Sequence, residues 1–237
     1  MNTLIATLAV AACAGSAFAT TTYFGEDLNP GGSLAGMVNS QAARAVFLGG
    51  LSNVGNETFE SYAPGTTPPI GIAFQGAGTA TLNGSGFVQN VSGTTGRFAT
   101  SGSNWFETSS DGGFSISFDN PGGVAAFGFY GTDIGDFGNQ LILRFTRADE
   151  TTYDVVVPHT LGANGNPNGA GLFFGIIASA SDAFTRVTFL NDGSGGDVFG
   201  FDDLVVGSLQ QVVPMPAAAG LGLAGLAGVA SRRRRSL

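Results

Sequence analysis

Lysine is absent from these 237 residues, histidine occurs once, at His159, and cysteine once, at Cys13. Each shortage removes a chemistry. Without lysine there is no Schiff-base catalysis, one histidine cannot build a histidine zinc site, and a lone cysteine has no disulfide partner in the chain. All nine basic residues are arginine, and four of them stand together at Arg232 to Arg235. The remainder of the chain carries Arg44, Arg97, Arg144, Arg147 and Arg186 against 17 acidic residues. That balance excludes nucleic acid as a partner, because phosphate contacts need clustered cations. It favours divalent cations, beside the plainer reading of a soluble acidic surface. Tryptophan is also scarce. Phenylalanine supplies 20 of the aromatic residues and Trp105 is the single tryptophan. This suits a core better than a face for stacking sugars, and a core position for Trp105 is expected over a platform with Phe106 and Tyr130.

What is abundant is glycine, 39 residues with no collagen-like period. The glycines punctuate short segments rich in Phe, Val, Ile and Thr. Phe114, Ile116 and Phe118 recur with period two and would project to one face, as would Leu141, Leu143 and Phe145, and Tyr153, Val155 and Val157. Ala183 to Leu190 and Val198 to Val206 follow the same pattern. Roughly ten such strands without intervening helices predict an all-β fold, one antiparallel jelly-roll-like β-sandwich spanning residues 20–212. One stretch differs. Residues 39–49 are rich in helix formers, offer Asn39 or Ser40 as a cap, and end at Gly49-Gly50. They predict a short helix whose Ala42, Val46 and Phe47 cover an open end of the sandwich. The Asn and Gly run from Gly162 to Gly171 reads as an exposed loop.

The two ends of the chain read as addresses. Residues 1–19 hold an apolar stretch, Leu4 to Ala12, closed by Ala17-Phe18-Ala19, the small-x-small pattern of a signal peptide cleaved after Ala19. Val10-Ala11-Ala12-Cys13 also passes as a lipobox, which would lipidate Cys13 instead. Residues 213–237 begin with Val213-Pro214-Met215-Pro216, continue as a small and apolar run to Ala230, and end near Arg232-Arg233-Arg234-Arg235. As a helix, Pro214 to Ala230 would span roughly 25 Å, at the low end for a bilayer crossing. Arginines are costly to carry across lipid, so the run predicts a membrane-held segment, either transient and processed or an ordinary anchor.

This tail resembles the PEP-CTERM class of bacterial sorting signals, in the variant written VPxPA, with Met215 where the family signature has glutamate. The body is similar to the lectin-like and carbohydrate-binding sandwiches attached to such tails, through Glu57 to Thr66, Ala125 to Asp136 and Phe199 to Gly207. The resemblance implies passage through the inner membrane, handling by an exosortase-type membrane protease, and a place at the cell surface or outside, with exopolysaccharide as partner. It also implies a structural calcium as cofactor. Such sandwiches pair a Phe-Glu near the first strand with an Asp-Asp in the last, here Phe59-Glu60 and Asp202-Asp203. Converging carboxylates repel unless a cation lies between them, so Glu60, Asp202 and Asp203 are the candidate ligands. Asp133-x-x-Asp136 and Asp192 to Asp197 are weaker acidic loops.

No catalytic set emerges. The residues around His159, Val157-Pro158-His159-Thr160, lack a nucleophile-elbow pattern, and a solvent-facing loop histidine is expected. The expected function is a non-enzymatic surface or matrix protein. A glycan-active enzyme using paired carboxylates such as Glu57, Glu60 or Glu107 is the alternative, and a calcium-dependent adhesion module is a third reading.

Overall fold

The computed structural model describes residues 19–91, 96–135, 139–161, 169–191 and 197–209. The expected leader with Cys13 and Ala17, the expected sorting tail from Val213 to Arg235, Asp136 and Asp192 lie outside the described residues.

Thirteen strands and one α-helix make up the described body. In chain order they are β1 (Thr21–Asp27), α1 (Val38–Gly49), β2 (Leu51–Glu57), β3 (Ile70–Phe74), β4 (Gly78–Gly84), β5 (Phe87–Gln89) and β6 (Trp105–Ser109). The second half follows as β7 (Phe114–Phe118), β8 (Ala126–Thr132), β9 (Ile142–Arg147), β10 (Thr152–Val156), β11 (Gly171–Ile177), β12 (Phe184–Leu190) and β13 (Val198–Leu209). Two sheets face each other. One has six strands in the order β10-β9-β12-β7-β4-β3, the other seven in the order β1-β11-β8-β13-β6-β5 with β2 beside β13. Every described pairing is antiparallel, as the period-two segments require.

The strands of the six-stranded sheet alternate as the sequence suggests. Phe114, Ile116 and Phe118 of β7 turn inward while Ser115 and Ser117 turn out, and in β9 Leu143 and Phe145 are buried while Arg144 is exposed. The inward side chains meet those of the other sheet in a core dominated by phenylalanine. Phe201 stands edge-on to Phe114 at 5.0 Å and to Phe189 at 5.1 Å between ring centroids, geometry that suits the ring quadrupole.

The seven-stranded sheet departs from alternation because it is buried twice. Gly171–Ile177 of β11 and Ala126–Thr132 of β8 are buried at every position. Their inner residues join the inter-sheet core, while Ala126, Tyr130, Phe173 and Ile177 belong to a second cluster with Met37, Phe47 and Leu51. The cover is α1. Phe47 packs edge-on against Tyr23 at 5.6 Å and tilted against Phe173 at 5.5 Å. A side chain at Gly25 would fall on the α1 backbone at Asn39, and one at Gly175 on the Phe47 ring, so glycine there admits the helix at close range.

The helix lies where residues 39–49 predict, but it turns a different face to the sheet. Ser40 and Phe47 are buried, Ala43, Arg44 and Leu48 are half-buried, while Ala42 is exposed and Val46 is 65% exposed. Positions 40, 44 and 47 share one face of a 3.6-residue period, and polar Ser40 and Arg44 disguise it. The helix therefore covers the outer face of a sheet, not an end of the sandwich. Its cap also comes from elsewhere. Asp27 of β1 accepts from the backbone N–H groups of Asn39 (3.0 Å) and Ser40 (2.9 Å) and from the Ser40 hydroxyl (2.7 Å), placing a carboxylate at the positive end of the helix dipole. Among the described residues no helix is long and apolar enough to cross a membrane.

Candidate functional site

β13 is the longest strand, and one of its edges changes partner midway. β6 pairs with Val198 to Phe201 and β2 with Leu204 to Leu209, which leaves Asp202 and Asp203 at the junction. On the opposite edge the register to β8 shifts between Asp202 and Val205, and Asp203 takes a left-handed conformation with φ 49°. A bulge inserts one residue and flips the faces beyond it. Simple alternation would have Phe201, Asp203 and Val205 share the inner face. Instead Phe201, Leu204 and Val206 join the inter-sheet core, while Val205 joins the cluster under α1.

The gap between β2 and β6 is stitched by side chains. Asp202, 1% exposed, accepts from the backbone N–H groups of Thr100 (2.7 Å) and Ser101 (3.0 Å) through Oδ2, and from that of Asp203 (2.7 Å) through Oδ1. Asp203 Oδ2 accepts from the Thr100 hydroxyl at 2.7 Å and Oδ1 from the Asn56 amide at 2.9 Å. Burial, and then the charge of Asp203, push the Asp202 carboxyl up to about 8 although the N–H groups pull it down.

Glu60 binds the next stretch of the same loop, accepting from the backbone N–H groups of Ser103 (2.7 Å) and Asn104 (2.6 Å). Gly102 makes this approach possible. Its φ of 58° suits glycine, and a side chain there would overlap the Glu60 carboxylate. Asn104 returns the contact through its amide to the carbonyls of Phe59 (3.1 Å) and Tyr62 (3.0 Å). The three predicted acids thus serve one loop but do not converge on one point. Among the described residues no group of three or more His, Cys, Asp and Glu side chains is placed to hold a metal ion. The donors that answer these carboxylates are the chain's own amides and hydroxyls.

Other acids are engaged in the same manner. Glu57 accepts from the Phe59 N–H at 2.6 Å, and burial raises its carboxyl. Glu107 and Asp133 share Arg97, at 2.9 and 3.2 Å. His159 corrects its expected place in solvent. It is 3% exposed, its Nε2 accepts from the Leu141 N–H at 2.9 Å, and burial lowers its pKa, so it is a neutral brace between two loops. Trp105 is buried, as are Phe106 and Tyr130, and they form no exposed platform.

Beside the Asp202–Asp203 junction lies a cleft of about 330 Å³ between α1 and the sheet. Its helix side is Gln41, Arg44, Ala45 and Leu48, and its sheet side is Thr100, Ser101, Tyr130 and Asp203. The Arg44 guanidinium stands over the Tyr130 ring, 5.6 Å from its centroid. Burial first, and then the charges of Asp203 and Asp27 opposed by Arg44, move the Tyr130 hydroxyl up to about 12, so it stays a neutral donor. Sequence reading passed over this cleft. Arg44 lies in a helix read as structural, and Thr100 and Ser101 stand about a hundred residues from the acids they serve.

No family model and no curated protein matches this chain. Solved structures give distant likenesses. The C-terminal family 22 carbohydrate-binding module of Clostridium thermocellum Xyn10B is 17% identical, covering 69% of this chain and 98% of its own, with a TM-score of 0.39. The K2 cleaved adhesin domain of Lys-gingipain is also 17% identical, covering 65% and 98%, with a TM-score of 0.42. TmCBM61, solved in complex with beta-1,4-galactotriose, is 16% identical, covering 64% and 94%, with a TM-score of 0.33. At these identities and scores the likeness extends to the sandwich outline and to nothing finer.

Proposed function

We propose that this chain is an exported, non-catalytic β-sandwich that works at the cell surface or in the extracellular matrix in association with exopolysaccharide. Its tail is delivered to an exosortase-type membrane protease. Export and sorting rest on the leader and on the Val213 to Arg235 tail. The non-catalytic reading rests on one structural observation: these acids, all buried except Glu60, are employed in holding loops together. Asp202, Asp203, Glu57, Glu60, Glu107 and Asp133 each accept hydrogen bonds from the protein's own groups.

The enzyme alternative has one observation in its favour. Burial raises the Asp202 carboxyl to about 8, as a general acid requires. Asp202, however, is enclosed by three backbone N–H groups, and Asp203 alone of the two lines the cleft. A general acid must reach the atom it protonates. The test is to incubate the full chain, in detergent, with extracted exopolysaccharide and to measure retention in affinity electrophoresis and new reducing ends together. Retention without new ends is the expected result. Reducing ends that accumulate and vanish in Asp202→Asn would establish the enzyme instead.

A further inference from the structure

The cleft under α1 carries unmet hydrogen-bonding capacity of a particular kind. Arg97, Arg144, Arg147 and Arg186 each have a carboxylate within ion-pair range. Arg44 has none among the described residues, and its Nε lies buried without a hydrogen-bond partner. Ser101 Oγ is likewise buried and unpartnered. A buried donor left unpaired is costly, by about 1–3 kcal/mol, and a guanidinium seeks a planar anion above all. The same cleft presents the Asp203 carboxylate and Gln41, whose Nε2 donates to the Leu34 carbonyl at 2.7 Å and leaves the side-chain oxygen as an acceptor. Leu48 and Ala45 add an apolar strip.

We propose that this cleft binds a sugar acid, a hexuronate, with its carboxylate at the Arg44 guanidinium and its hydroxyls donating to Asp203 and Gln41. The charge pattern selects the class. A sulfate would bring its charge against Asp203 without donors to offer, a phosphate with too few, and a neutral hexose would leave Arg44 without a counter-charge. The uronate supplies one negative charge, several O–H donors and a C–H face for Leu48. The cleft volume lies at the small end of ligand pockets, room for one or two rings and not for a chain laid lengthwise. Asp203 holds its left-handed backbone at this very place, and such conformations cluster where a side chain must be aimed. The inference deepens the polysaccharide reading above and rests on it for the source of the uronate.

The test titrates the full chain in detergent with glucuronate, and in parallel with glucose, following tyrosine and backbone amide resonances. Saturable glucuronate binding with little response to glucose is expected, weakened about tenfold or more in Arg44→Gln. Gln41→Ala should weaken it several-fold, and Arg186→Gln, on the other sheet, should leave it unchanged. Circular dichroism and the thermal midpoint of each variant guard against misfolding, and the half-buried place of Arg44 makes Gln41→Ala, at an exposed position of α1, the safer second probe. Equal binding of glucose, or full glucuronate affinity in Arg44→Gln, would overturn the site. Affinity electrophoresis on extracted polysaccharide separates the two claims. Retention indifferent to free glucuronate and to Arg44→Gln removes the cleft and leaves the polysaccharide reading standing. Glucuronate binding that needs Arg44, with no retention on any polysaccharide, keeps the cleft and removes that reading.

Discussion

The two outer faces of this sandwich solve opposite problems. The six-stranded sheet leaves its outer face to water, and a row running across five strands there reads Asp154, Arg144, Thr188, Ser115 and Asn83. It carries the exposed pair of Arg144 with Asp154, held at 2.8 Å and contributing little in solvent. The seven-stranded sheet hides its outer face beneath α1. There the same strand geometry carries Phe173, Ile177, Tyr130 and Ala126 on what would otherwise be the wet side. Covering a face requires glycines that let a helix approach, a remote cap from Asp27, and a margin where helix and sheet part. That margin is the cleft with Arg44, Tyr130 and Asp203. Among the described residues Arg44 is the arginine whose Nε is buried without a partner.

The largest test of this contrast is Phe47→Ala. It removes the ring that joins α1 to Tyr23 and Phe173, and it should cost about 3–5 kcal/mol in chemical denaturation. A loss below about 1 kcal/mol would mean that the helix is a loose attachment and the covered face is not a second core. Next comes Gly25→Ala, whose methyl meets the Asn39 backbone. Overpacking there should cost about 1–3 kcal/mol and raise hydrogen exchange in α1, and an unchanged midpoint would refute close packing.

The pH dependence comes third. Asp202 has its folded pKa raised to about 8 from the ordinary 3.8, so between those values the folded state holds a proton that the unfolded state has lost. Stability from this group is full below the unfolded value and is lost as pH rises through about 8. Denaturation midpoints should therefore fall between pH 4 and 8 in a way that Asp202→Asn flattens. A profile that Asp202→Asn leaves untouched would show that the junction is not the proton-binding place. At the small end, Thr188→Ala on the bare face should change stability by no more than about 0.5 kcal/mol. Chelation with EDTA should leave the thermal midpoint where it was, because amides and hydroxyls already answer the acids. A drop of several degrees would restore calcium to the Glu60, Asp202 and Asp203 loop.

The same contrast explains what was legible. On the bare sheet the solvent imposes alternation, so Phe114 to Phe118 and Phe184 to Leu190 announce themselves as strands. On the covered sheet no water sets a period, and Gly171–Ile177 reads as a plain apolar run. The helix announced its span but not its face, because the buried positions include Ser40, bonded to Asp27, and Arg44. The acid pair at Asp202-Asp203 stood out, yet the bulge that turns Asp203 toward the cleft leaves no mark in composition. Nor does the loop at Thr100 to Asn104 show what it serves, since its partners come from β13 and from the turn after β2.

The most direct measurement is backbone hydrogen exchange of the full chain with and without extracted acidic polysaccharide. Added protection confined to α1 and to the Thr100 to Asn104 loop is expected. Protection spread instead over β9, β12 and β7 would put the ligand on the bare face and contradict it.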